Sequence, residues 1–137
     1  MSAHEKDRSD VFRAFVDKAQ KRLVEKRTVK YQTLYVPSLD EHIKVRSMEY
    51  SEFIECSGLE DNGDPFRSDK YAAYLSVVEP DLTAAAKELK ESGSITEYMD
   101  VTDIFELTEV QSIAEAVLKL SGFVGSKKVM VVEELKN

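Results

Sequence analysis

Tryptophan is absent, and cysteine occurs once, at Cys56, in a chain of 137 residues. A single thiol closes no internal disulfide, so a stapled secreted scaffold is excluded and a reducing compartment is the expected setting. Histidine is nearly missing too. His4 sits in a polar N-terminus and His42 at the start of a strand-like run. Neither stands at a metal-ligand spacing, and Cys56 has no Cys-x-x-Cys partner. Three prolines and five glycines are too few for a collagen-like or low-complexity chain. The glycines, at 58, 63, 93, 122 and 125, form no phosphate-cradling loop, dinucleotide fingerprint or nucleophile elbow. No stretch reaches the roughly 18 apolar residues of a membrane span, and the first residues lack the apolar centre of a signal peptide. These absences lead us to expect a soluble cytoplasmic protein with no membrane partner, no cofactor and no metal.

What is present is charge, unevenly spread. Residues 1–46 carry 11 basic and 7 acidic side chains, net +4; residues 47–137 carry 8 basic and 19 acidic, net −11. An acidic body is ill suited to wrapping nucleic acid, because phosphate neutralisation needs a basic surface. The basic residues between 18 and 30 (Lys18, Lys21, Arg22, Lys26, Arg27, Lys30) are a local exception. They form either the solvated face of a helix, the reading preferred here, or a patch for nucleic acid or an acidic partner.

Apolar spacing organises the rest. Val11, Phe12, Phe15, Val16, Ala19, Leu23 and Val24 recur on one helical face, with Ser9 or Asp10 as the cap and residues 1–8 frayed. Thr28–Val36 and His42–Ser47 alternate as two strands of a hairpin with a loop longer than two residues. A short helix runs from Ser47 or Glu49 to Gly58. A turn over Glu60–Asp64 precedes a helix that starts at Pro65, capped by Asp64, and stops before Pro80. Further helices run from Asp81 to Gly93, over Ile95–Phe105, and from a Thr108/Gln111 capping box to Gly122. The last of these buries Val110, Ile113, Ala114, Val117, Leu118 and Leu120. The run Val129–Val132 reads as a third strand or a short docked helix. The expected fold is α+β, one mostly helical domain over residues 1–137, with one hairpin and a third strand supplied, if anywhere, by the tail at 124–137.

The search for chemistry nominates no catalytic residue. His42 reads as a surface strand residue and Cys56 as a small core hydrophobe. Aligning Gly63 with the glycine of a calcium-binding loop puts Gly58, which has no side-chain oxygen, at the first ligand position, and Asp69 at the last, too short for bidentate reach. Glu133 and Glu134 are adjacent and point to different faces, so they make no acid–base pair. Binding surfaces remain. Phe12 and Phe15 on the first helix, Tyr71 and Tyr74 on the 65–79 helix, and Val129 and Val131 in the tail are the candidate partner-binding residues.

Several segments in succession resemble one family. Val36-Pro-Ser-Leu-Asp-Glu-His-Ile-Lys-Val-Arg-Ser-Met-Glu-Tyr50, Asp64-Pro-Phe-Arg-Ser-Asp-Lys-Tyr71, Ser76-Val-Val-Glu-Pro-Asp-Leu82, Glu109–Phe123 and the ending Val132–Asn137 are similar to XkdN-like phage tail assembly chaperones of contractile-tailed phages and prophages of Gram-positive bacteria. The resemblance covers most of residues 28–137. It implies a non-enzymatic role: holding the long helical tape-measure protein, and/or engaging the tail-tube protein, in the host cytoplasm, and absence from the mature virion. The alternatives are a structural tail or connector component retained in the particle, and a nucleic-acid-binding regulator acting through residues 18–30.

Overall fold

The computed structural model describes residues 3–59, 63–125 and 128–132. The turn expected at Glu60–Asp64 and the Glu133/Glu134 pair therefore fall wholly or partly outside the described residues. Helix α1 spans Ala3–Arg27. It starts six residues before the expected cap, and Ser9 and Asp10 lie inside it. Ala3, Glu5, Lys6 and Arg8 are strong helix formers, and their propensity carries the helix through the segment expected to fray. At its far end the Thr28 N–H and hydroxyl both reach the Val24 carbonyl, at 3.1 and 2.8 Å. The chain then turns extended.

Strands β1 (Tyr31–Val36) and β2 (Glu41–Arg46) pair antiparallel, from Tyr31 opposite Arg46 to Val36 opposite Glu41. The connecting turn is Pro37–Asp40. Asp40 takes a left-handed φ of 49°, which its short polar side chain tolerates, and it accepts the Tyr35 hydroxyl at 2.7 Å. Val36, Ile43 and Val45 point into the core, while Tyr31, Tyr35 and His42 face outward.

The third strand is not in the tail. Helix α3 (Arg67–Ser76) ends four residues before Pro80, and Val77–Glu79 forms β3, antiparallel to β2 with a bulge at Lys44/Val45. The physical reason is local and tertiary at once. Val77 and Val78 are β-branched and Glu79 is restricted by the proline after it, while β2 offers an open edge to three extended residues. Among the described tail residues, 128–132, there is no strand, and Val129–Val132 are exposed. The sheet order is β1-β2-β3.

Around the sheet lie α2 (Tyr50–Ser57), α4 (Leu82–Glu91), a 3₁₀ segment (Tyr98–Ile104) where an α-helix was expected, and α5 (Leu107–Ser121). Asp81, where the helix is expected to begin, is the cap of α4, accepting the Ala84 N–H at 3.1 Å. Two other start signals are corrected. Asp64 accepts the Phe66 N–H at 2.9 Å and pairs with Lys70 at 3.1 Å, so Pro65 and Phe66 form a turn and α3 begins at Arg67. Helix α5 begins at Leu107, and the reciprocal contact is made by Glu109, not Gln111: its carboxylate accepts the Glu106 N–H at 2.8 Å. A carboxylate outcompetes an amide here because the helix N-terminus is electropositive. The same Glu109 accepts the Ser38 N–H at 2.9 Å, and its hydroxyl, which ties the hairpin turn to the start of α5. These bonds hold the Glu109 carboxyl below its ordinary range.

The core joins the sheet to α3 and α5. Ala72 and Ala73 of α3 are small enough to bring that helix close to Val110, Ile113, Ala114 and Val117 of α5, all buried. Leu118 and Leu120, expected with that stripe, are only half-buried. Gly122 closes α5 at φ 80°, and the Phe123 N–H returns to the Leu118 carbonyl at 3.0 Å. That Schellman closure folds Phe123 back toward α2.

Candidate functional site

A long apolar stripe on α1 is uncovered. Val11, Phe12, Phe15 and Val24 are each about two thirds exposed (Phe12 64%, Phe15 67%), and Leu23 is half exposed. Among the described residues no other element packs appreciably on this helix. That is physically unusual, because most helix stability in proteins comes from burying an amphipathic face. Burying a Val, Leu or Phe side chain completely is worth about 1.5–3 kcal/mol, so this stripe holds a large unused driving force for association. Its rim is mainly basic. Lys18, Lys21 and Arg22 border a shallow concavity floored by Phe15, Ala19 and Leu23, with Glu25 beside them paired to Arg22 at 3.2 Å. The candidates Phe12 and Phe15 thus stand open on one helix.

A second apolar patch, with Tyr50 exposed and Phe53 and Phe123 half-buried, was not anticipated from sequence. Tyr50 and Phe53 of α2 meet Phe123, at ring separations of 6.1 and 4.9 Å. Tyr50 is 66% exposed, and Ile54 and Val124 extend the patch. Phe123 arrives from 70 residues away through the Gly122 closure, and the Met48 N–H donating to the Ser121 hydroxyl at 2.8 Å pins that corner. The available signal was the glycine at the α5 terminus followed by an aromatic residue. The surroundings are acidic: residues 49–57 contain Glu49, Glu52 and Glu55 and no basic residue. Arg46 is already engaged, in a bidentate pair with Glu52 at 2.9 and 2.7 Å that keeps Glu52 low and Arg46 high.

Tyr71 and Tyr74 occupy a third place. Both are half-buried against the core and line a cleft of about 480 Å³ with Leu59, Arg67 and Tyr98. The Tyr71 hydroxyl donates to Glu55 at 3.2 Å, and burial together with that carboxylate raises its pKa. Lys90 sits 4.2 Å above the Tyr98 ring. These tyrosines are therefore packing residues with one accessible side. Val129 and Val131 are exposed in the tail. The six candidates do not converge: they are divided among α1, the α3 cleft and the tail.

No protein-family model, no curated protein and no solved structure matches the chain.

Of the groups with chemistry, Cys56 is buried and free, and desolvation, followed by Glu52 and Glu55, pushes its thiol up to about 11. At neutral pH it is a protonated hydrophobe, not a nucleophile. His42 stands exposed on β2 with its ring 5.3 Å from that of Tyr35. Among the described residues, no three His, Cys, Asp or Glu side chains are arranged to hold a metal ion, and no helix is long and apolar enough to cross a membrane.

Proposed function

We propose that this protein is a phage tail assembly chaperone that binds the helical tape-measure protein, and/or the tail-tube protein, in the bacterial cytoplasm and is left out of the finished particle. The observation that carries the reading, beside the family resemblance of residues 28–137, is the uncovered apolar stripe of α1. One amphipathic helix accepts another by seating its ridges in the partner's grooves, with no pocket and no bond made or broken. A stripe of five or six side chains gives contacts that repeat along a long helical client. The basic rim favours client segments with acidic flanks. The net −11 beyond residue 46 keeps a loaded complex from aggregating through self-repulsion.

The test is to look in the neighbouring gene for a long helical tape-measure polypeptide and to co-express the two. The wild-type chain keeps that client in the supernatant and co-purifies with it, whereas Phe12→Ser/Phe15→Ser loses the client while the body stays folded. Recovery of the chain in stoichiometric amounts from purified particles would replace this reading with the retained structural component. The five cations from Lys18 to Arg27, all exposed on α1, favour a second reading, the nucleic-acid-binding regulator. A mobility shift that survives physiological salt decides for it; release by modest salt decides against it.

A further inference from the structure

The sheet order leaves β1 and β3 as its edges. β3 is three residues long and is followed at once by Pro80, so it offers little to another strand. β1 is six residues, Tyr-Gln-Thr-Leu-Tyr-Val, with no charge, proline or glycine to blunt it. Its register fixes which backbone groups are open. The Ser47 N–H donates to the Lys30 carbonyl at 2.8 Å, and antiparallel bonding alternates, so Gln32, Leu34 and Val36 bond to β2, while the N–H and carbonyl of Tyr31, Thr33 and Tyr35 point away from it. Among the described residues no strand other than β2 pairs with β1, and α1, which leads into it, packs appreciably on no strand. Such an edge specifies the kind of cover it takes, because an extended backbone supplies acceptors and donors at the matching spacing.

We infer that β1 pairs antiparallel with β1 of a second copy of this chain, centred on Thr33, so that the two sheets become one. This is the antiparallel register that uses all three open residues of each copy: Tyr31 stands opposite Tyr35 of the second copy, and Thr33 opposite Thr33. The tyrosine rings lie side by side on the outer face, where both are exposed in the single chain. Charge selects the same arrangement. Side chains alternate along a strand, so Lys30 shares a face with Leu34 and Val36, the face that carries α5. In this register Lys30 of each copy comes opposite Val36 of the other. There Val36, Thr108, Glu109 and Ser112 line a groove of about 340 Å³ between β1 and α5. The Glu109 carboxylate is held by neutral donors, the Ser38 N–H and hydroxyl and the Glu106 N–H. Among the described residues neither Glu109 nor Lys30 is in an ion pair. The antiparallel pairing brings Lys30 of each copy to Glu109 of the other, whereas an in-register parallel pairing would set Lys30 beside Lys30. None of this uses the α1 stripe, so the inference does not rest on the client reading.

Sedimentation of the full chain from low micromolar to ~100 μM should show a reversible dimer. Residue-resolved amide exchange on the same samples locates it. The amides of Gln32, Leu34 and Val36 should be protected at every concentration, and those of Tyr31, Thr33 and Tyr35 only as the dimer forms. Thr33→Lys, at an exposed position, sets two cations face to face at the centre and should weaken the dimer about tenfold or more. Lys30→Glu should weaken it several-fold at low salt. A chain that stays monomeric overturns the inference, as does a dimer whose edge amides stay open, or one as tight in folded Thr33→Lys or in Lys30→Glu as in the wild type. Edge amides already protected in the dilute monomer overturn it in favour of a cover from the same chain, and protection gained only with another protein overturns it in favour of a foreign strand. If Thr33→Lys fails to fold, the exchange pattern of the wild type decides alone. Any of these leaves the client reading standing, and that reading fails separately if co-expression yields no complex.

Discussion

Helices α1 and α5 carry the same kind of message, apolar residues every three or four positions, and meet opposite fates. In α5 the stripe Val110, Ile113, Ala114 and Val117 is buried against α3 and the sheet. In α1 the stripe of Val11, Phe12, Phe15 and Leu23 is open. The α5 stripe is built of small and β-branched side chains that fit the narrow space left by Ala72 and Ala73, and both ends of that helix are bonded to the body: Glu109 to Ser38 in the hairpin turn and Ser121 to Met48 just after β2. The α1 stripe is built on two phenylalanines with a mainly basic rim, and among the described residues no other element packs appreciably on its helix, which leads into the body through Thr28–Lys30. Helical periodicity specifies that a face exists. The size of its side chains, and the bonds at the helix ends, specify whether that face is turned inward.

The widest separation between the two helices is expected in hydrogen exchange. Amides in the middle of α5 should open only with global unfolding, worth about 5–15 kcal/mol in a domain of this kind, while those of α1 in dilute monomer should open at a small fraction of that cost. Equal protection in the two helices would mean that α1 is covered, and protection rising with protein concentration would locate the cover in another copy.

Substitution sharpens the same contrast. Ile113→Ala should cost ~2–5 kcal/mol of unfolding free energy through the cavity it leaves. Phe15→Ala should change the body's stability by less than about 0.5 kcal/mol, since its ring contacts no core. Chemical denaturation of the monomer measures both. Comparable losses would place α1 in the cooperative unit.

Helix termination gives a smaller effect. Gly122 holds φ 80°, and the Phe123 closure depends on it. Gly122→Ala should destabilise the body by about 1 kcal/mol and weaken the aromatic patch as Phe123 shifts, visible as slower melting recovery of the Tyr50–Phe53–Phe123 contacts in ring-proton spectra. An unchanged melting temperature would show that α5 ends without that conformation.

Acid should discriminate more gently. Glu52, Asp64, Asp81 and Glu109 all have lowered carboxyl pKa values, through Arg46, the Phe66 N–H, the Ala84 N–H and Ser38 respectively. A lowered folded-state pKa means that the unfolded chain takes up protons first. The stabilisation is therefore complete above the ordinary carboxylate range and is lost as pH falls through it toward the folded-state values. Body stability should decline below about pH 4.5, and Glu52→Gln should flatten that decline. A stability curve level from neutral pH into strong acid would contradict these pairings.

Much of this body was legible as a list of elements. The two hairpin strands, the helix start at Asp81, the Gly122 terminus, the break at Gly58 and most of the α5 stripe follow from strand alternation, terminus chemistry and helical spacing, all of which act within a few residues. The errors share a cause. Val77–Glu79 reads as the end of a helix because nothing nearby shows that β2 has an open edge. The Val129–Val132 run, more strand-like on its face, reads as a third strand or a short docked helix, and the third strand is β3 instead. Glu109 rather than Gln111 closes the α5 start because Ser38, 71 residues away in sequence, adds its own donors to that carboxylate. Of the candidate binding residues, Phe12 and Phe15 sit on an open surface, while Tyr71 and Tyr74 divide their rings between core and cleft. The aromatic patch needed Phe123 to be brought to Tyr50 and Phe53.

By itself the sequence determined much of the local conformation, the helical stripes, the two hairpin strands and the stops at Gly58 and Gly122, and that the molecule has a basic beginning and an acidic remainder. Those are set by backbone sterics, capping and charge count, which need no distant partner. Only the tertiary structure decided which apolar faces are satisfied and which are left over, because burial is a property of pairs of surfaces. The core fills with side chains that fit across the sheet, the phenylalanines of α1 remain outside it, and Phe123 packs on its edge with Tyr50 exposed beside it.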